Sequence, residues 1–278
     1  MAADHSVSTS VPKSEIRSLY NFLRECTRTG LHLKMAHAIK QNTEPLAEML
    51  SVSFGQCRSF NNRQQGFHNG RGNGETKFTA DVLNSKTLAN RVLVQLPHCG
   101  SDQGFPFTFV DYELSPFRVA KRRTGQTHIS KKQKNVPKKG RIDVLMHDEE
   151  GTPIIGEIKA EDDTNLLVAL IQSLAAAVEF ATPNQLARLE QVYKNSDGKS
   201  VFSEVSRVGV CLLQALPPQD ECSEAIFMAV ECICKKLMES QETLKIINRI
   251  TCLKTVAKEG ECLKWDTVFE YPSQAGLA

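Results

Sequence analysis

Arg141-Ile142-Asp143-Val144-Leu145-Met146 and Ile154-Ile155-Gly156-Glu157-Ile158-Lys159 are two apolar runs, separated by a segment containing Asp148-Glu149-Glu150-Gly151. Residues 142–146 and 154–159 read as strands, and 147–153 as the turn of a hairpin. Side chains alternate between the two faces of a strand, so Glu157 and Lys159 point the same way while Ile158 points to the core. The hairpin can bring Asp143 to the same spot. Two carboxylates and an ammonium gathered there suit a divalent metal and hydrolysis of a phosphodiester. Such a reaction must offset charge on the phosphate, orient a water and stabilise the leaving oxygen. Mg²⁺ takes hard oxygen ligands and keeps several waters, so two carboxylates and the Ile158 carbonyl are a sufficient protein share. A surface hairpin with cross-strand ion pairs contains the same residue types, and the spacing alone leaves both readings open.

The neighbouring sequence places this hairpin in a larger pattern. Residues 162–165 offer N-caps. Residues 166–180 then read as a helix that is apolar nearly all round, interrupted by Gln172 and Ser173. Its Ala175, Ala176 and Ala177 are small enough to lie close to a sheet. More helix is expected at 184–193, an apolar strand at 208–213 ended by Pro217-Pro218, a long helix at 222–239, and a hairpin of 250–257 with 262–271. Upstream, 14–28 and 33–50 read as helices. Residues 55–75 read as a loop, 77–94 as a helix at 81–90 running into a short strand, and 107–112 as a strand. The order strand, strand, helix, strand predicts an α/β fold with a mixed β-sheet flanked by helices.

On Asp143 and Glu157-Ile158-Lys159 the chain resembles the PD-(D/E)XK nuclease superfamily, with its restriction-endonuclease-like fold. Ile142 stands where many members have Pro. The resemblance spans about residues 105–215 and implies an α-β-β-β-α-β core, with helical N-terminal and α/β C-terminal elaborations. It implies a Mg²⁺-dependent nuclease, with Mn²⁺ as a substitute ion and DNA favoured over RNA. Asp143, Glu157 and the Ile158 carbonyl would hold metal, Lys159 would position or activate water, and Gln172 would support the site. Glu44 or Glu48 would supply a further ligand, with Glu15 and Glu25 behind them. Ala176 stands where RecB-like exonucleases carry Tyr, so the subfamily stays open. Homodimers are common among similar nucleases. The competing class is a nucleic-acid-binding or protein-interaction module on the same fold, with little or no cleavage.

Composition bounds the remaining possibilities. The chain has 278 residues, with 41% hydrophobic and 24% charged content, ordinary for a globular protein. No apolar run approaches the ~20 residues of a membrane span. Residues 1–13 read as disordered and 14–278 as one domain. Nothing in 1–13 resembles a secretory signal, and the nine cysteines form no regular framework. An intracellular location with reduced thiols is therefore expected, the nucleus in a eukaryote and otherwise the cytoplasm. No glycine-rich nucleotide cradle is present, so ATP-driven activity is not indicated.

The net charge of +2 conceals an asymmetry. Between Glu113 and Asp143 no acid occurs, while Arg118, Lys121, Arg122, Arg123, Lys131, Lys132, Lys134, Lys138, Lys139 and Arg141 do. These are ten of the 34 basic residues, so the remaining 24 face 32 acids. A basic block placed on an otherwise acidic chain reads as a contact for a nucleic-acid backbone. Lys131-Lys132-Gln133-Lys134 is also similar to a nuclear import signal, and a solvated loop is the plain alternative.

Overall fold

The structure, a computed structural model, describes residues 65–69, 88–118, 142–160, 165–181, 183–203, 206–217, 219–259 and 262–272. Their strands form one seven-stranded sheet in chain order. These are β1 (Gln65–Asn69), β2 (Thr108–Arg118), β3 (Ile142–His147), β4 (Pro153–Ala160), β5 (Val208–Ala215), β6 (Ile247–Glu259) and β7 (Cys262–Pro272). Strands β1 to β4 pair antiparallel, β4, β5 and β6 run parallel, and β7 returns antiparallel to β6. The described helices are α1 (Leu88–Gln95), α2 (Leu166–Phe180), α3 (Pro183–Val192), α4 (Glu221–Glu239) and α5 (Gln241–Leu244). None of them is long and apolar enough to cross a membrane.

The turn between β3 and β4 is built by its own residues. The Asp148 carboxylate accepts the backbone N–H groups of Glu150 and Thr152 at 3.1 and 2.8 Å. Gly151 follows with φ +77°, a left-handed conformation that glycine adopts without steric cost. Pro153 opens β4, where a missing N–H disturbs the ladder least. The turn thereby fixes the register, with His147 opposite Pro153 and Val144 opposite Gly156.

Two apolar clusters lie on the two faces of the sheet. Leu145, Ile155, Val210, Leu212 and Cys252 pack with α2 and α4 on one face. Val144, Met146, Ile154, Ile158, Leu213 and Leu253 pack on the other with α1 residues, Phe105, Phe107 and Trp265. Full burial of one such aliphatic side chain contributes about 1.5–3 kcal/mol. Helix α2 begins where the Asn165 side chain accepts the Val168 N–H at 3.1 Å, and its Ala176 and Ala177 are buried. In α4 the Asp220 side chain caps Ser223 N–H at 2.7 Å, with Glu221 and Glu224 in the first turn and Lys236 in the last. That charge order favours the helix dipole.

The expected hairpin, crossover helix and following strand are all present, and β4 and β5 are parallel across α2. Two expectations are corrected. Within the stretch read as a loop, residues 65–69 form β1 against β2. An open sheet edge needs only the backbone of its partner, so a polar glycine-containing segment can occupy it. The short strand expected after residue 90 is the continuation of α1 to Gln95. The helices read at 14–28 and 33–50, the other residues of the loop read at 55–75, and Lys121 to Arg141 lie outside the described residues, as do Glu15, Glu25, Glu44 and Glu48. Arg118 ends β2.

At the irregularity between Phe109 and Asp111 in β2, the buried Asp111 carboxylate accepts the Tyr193 hydroxyl at 2.7 Å. Burial first, and then the Asp111 charge and hydrogen bond, push the Tyr193 hydroxyl far above its ordinary 10.0. The unfolded chain releases this proton near pH 10 while the folded chain retains it. Its contribution to stability is therefore full below that pH and declines as pH rises beyond it. Tyr193→Phe is expected to cost about 1 kcal/mol at neutral pH and to flatten this alkaline decline in urea titrations.

Gly156 is a second tight point. A Cβ there would lie 2.4 Å from Val144 Cγ1 and 2.9 Å from Met146 Cε. Gly156→Ala is expected to lower stability by about 1–3 kcal/mol through overpacking, read as a lower urea midpoint with an unchanged m value.

Candidate functional site

The pairing of β3 with β4 ends at Val144 opposite Gly156, with Asp143 and Glu157 the next residues along the two strands. Opposed residues of an antiparallel pair share a face. This is the face of Leu145 and Ile155, under α2. The Asp143 carboxylate takes the Ile158 backbone N–H at 2.8 Å. A side chain rather than a strand carbonyl therefore completes the edge of β4 at this level. In a strand, the N–H and C=O of one residue face the same edge, so the Ile158 carbonyl also faces the β3 side.

Lys159 follows on the same face as Glu157. Its Nζ lies 3.9 Å from Glu157 Oε1 and donates to Gln172 Oε1 of α2 at 3.3 Å. The Lys159 and Glu157 side chains are 11% and 5% exposed. Asp143 and Gln172 are half-buried. The structure thus gathers Asp143, Glu157, Lys159 and Gln172 from two adjacent strands and the helix that follows them, and Ile158 adds its backbone. Arg118 is placed at the end of β2, while Glu44, Glu48 and the other nine basic residues fall outside the described part.

The donor set fits a hard divalent cation. Among the described residues, no group of three or more His, Cys, Asp or Glu side chains could hold a metal ion. Zinc-type centres need such a group, but Mg²⁺ needs only one or two carboxylates, with oxygen from backbone and water. A carboxylate has about four lone-pair positions, so accepting the Ile158 N–H leaves Asp143 competent as a ligand. Among the described residues, Cys211, Cys234 and Cys252 are buried, and burial pushes their thiols well above the ordinary value.

Sequence reasoning passed over Gln214. It is fully buried near the end of β5, directly beside Lys159 in the parallel register. Neither its Nε2 nor its Oε1 has a hydrogen-bond partner. The available signal was a lone amide in the run Val208-Gly209-Val210-Cys211-Leu212-Leu213-Gln214, beyond the point where the strand was expected to stop.

No protein-family model matches the chain, and neither a curated protein nor a solved structure is similar enough to count as a match.

Charge pairing in a buried place has a measurable cost when broken. Lys159→Met is expected to lose about 3 kcal/mol, because it removes the ammonium beside the buried Glu157 charge. Adding Glu157→Gln should recover most of that loss. Urea unfolding of the wild type, both single variants and the double variant reads the coupling. Strictly additive costs would show that the two groups do not interact.

Proposed function

We propose that the chain is a Mg²⁺-dependent nuclease with a restriction-endonuclease-like core, hydrolysing nucleic-acid phosphodiester bonds. The observation that carries this reading is the Asp143 carboxylate at the Ile158 N–H, beside Glu157 and Lys159 on one face of the hairpin. The order α1, β2, β3, β4, α2, β5 supports it further: three antiparallel strands, a helix, then a strand parallel to the last.

Asp143, Glu157 and the Ile158 carbonyl would hold the metal. Bound there, Mg²⁺ neutralises charge on the phosphate and acidifies a water. Lys159 then supplies a fixed positive charge for the attacking water or the phosphate oxygens, worth most where surrounding water is excluded. Gln172 anchors the ammonium from α2, and the surrounding burial keeps bulk water from the pair. The basic interval that runs into Asp143 is suited to backbone phosphates, without sequence preference. DNA is favoured over RNA on the resemblance alone.

The test is incubation of the purified chain with single-stranded, duplex and branched DNA and with RNA, in Mg²⁺, Mn²⁺ or EDTA. Cleavage is expected with either metal and not with EDTA. Asp143→Asn, Glu157→Gln and Lys159→Ala should each lower the rate about a hundredfold or more. Binding without cleavage in every condition would instead make the chain a binding module. Cleavage persisting in Lys159→Ala would place the activity elsewhere.

A further inference from the structure

We infer that Gln214 is a positioning residue for Lys159: its buried amide accepts the Lys159 ammonium when Glu157 is drawn to a bound cation. The inference rests on the nuclease reading of this site. Lys159 on β4 pairs in register with Gln214 on β5, and Gln214 pairs with Lys254 on β6. Alternation from Leu212 and Cys252, which pack under α2 and α4, puts all three on one face.

Gln214 is 0% exposed, and both atoms of its amide lack a hydrogen-bond partner. An amide buried in this way loses its hydration without replacement, and an apolar side chain of the same shape would avoid that cost. Retaining such a group next to a reactive lysine is the pattern of strain kept for function. Its full burial also rules out direct contact with a substrate in this conformation. Its two in-register neighbours are both lysines. Lys254 Nζ lies 5.9 Å from the centre of the Phe227 ring on α4, an interaction of its own. Lys159 is held at 3.3 Å by Gln172 and at 3.9 Å by Glu157, both long contacts. A cation between the carboxylates would compete for Glu157, and the neutral Gln214 carbonyl can then hold the ammonium without drawing on metal charge. Just beyond, Leu216 has φ 46°, a sterically costly backbone for a residue with a Cβ, and its N–H donates to Thr255 Oγ1 at 2.6 Å. The end of β5 is therefore pinned to β6.

Gln214→Met keeps the volume and removes the amide. Three readings are taken on the full chain. The melting temperature should hold or rise, because an unsatisfied polar group has gone. With Mg²⁺, kcat should fall about tenfold while KM stays within about twofold, the loss of one charge-assisted hydrogen bond. In protein labelled with ¹⁵N at lysine Nζ, the Lys159 signal, identified by its disappearance in Lys159→Arg, should persist on adding Mg²⁺ to wild type and broaden in Gln214→Met. Gln214→Glu, which keeps the acceptor, should retain the signal. Unchanged kcat with an unchanged Lys159 signal would overturn the inference. So would a lowered melting temperature with an unchanged Lys159 signal, which marks a merely structural residue. If wild type cleaves nothing, the nuclease reading fails. The Lys159 signal still decides whether Gln214 holds the ammonium, so the two failures are distinguishable.

Discussion

The register between β3 and β4 is the constraint on which the rest of the site depends. Shifting an antiparallel pair by one residue would move every side chain of one strand to the opposite face. Asp143 would then point towards α1 and Glu157 towards α2. Two features prevent this. The turn is closed by Asp148 and a left-handed Gly151 at one end. Farther along, Gly156 admits Val144 and Met146 where no side chain would fit. Apolar pressure from both faces supports the same register, because Ile154 and Ile155 are each fully buried on opposite sides.

Burying charged groups beside this hairpin is costly unless they satisfy one another. The arrangement offsets part of that cost locally. Asp143 takes a backbone N–H that the strand ladder leaves over, and Lys159 is held between Glu157 and Gln172. Each contact also limits the freedom of a side chain that chemistry would need fixed. The interaction that lowers the cost of burial and the one that orients the group are the same. Gln214 lies furthest from this rule, because both atoms of its amide lack a hydrogen-bond partner.

Much of this was legible in sequence because alternation and apolar content are strong over short, buried segments. Helix α2 was readable to the residue at both ends, from its N-cap and continuous apolar face. The pairing of Glu157 with Lys159 followed from a period of two. What sequence could not supply was pairing across the sheet. Strand β1 is made by its partner's open edge rather than by its own composition, and nothing in Gln65-Gly66-Phe67-His68-Asn69 announces it. The place of Gln214 beside Lys159 depends on a register set across a crossover of dozens of residues, which periodicity within one strand does not encode. Gln172 was visible as a polar break in an apolar helix, but its contact with Lys159 needed the angle at which α2 crosses the sheet.

The site stands where the sheet changes character. On one side of β4 the strands are antiparallel, and on the other they are parallel. An antiparallel neighbour can return immediately through a short turn, so Asp143 comes from a residue close in sequence. A parallel neighbour requires a crossover, and the crossover helix must start near the carboxyl end of β4 and run back over it. Gln172 lies six residues into α2, about 9 Å along its axis, which is the distance at which that return passes over Lys159. The parallel partner β5 then presents its own carboxyl end at the level of Lys159, with Gln214 facing the same way. One strand thus collects an acid from a hairpin, an amide from a helix and an amide from a crossover strand. Carboxyl ends of parallel strands are where open α/β sheets place their ligands, and the present geometry gives a local reason. It is the position on β4 that an antiparallel strand, a returning helix and a parallel strand all reach with side chains on one face.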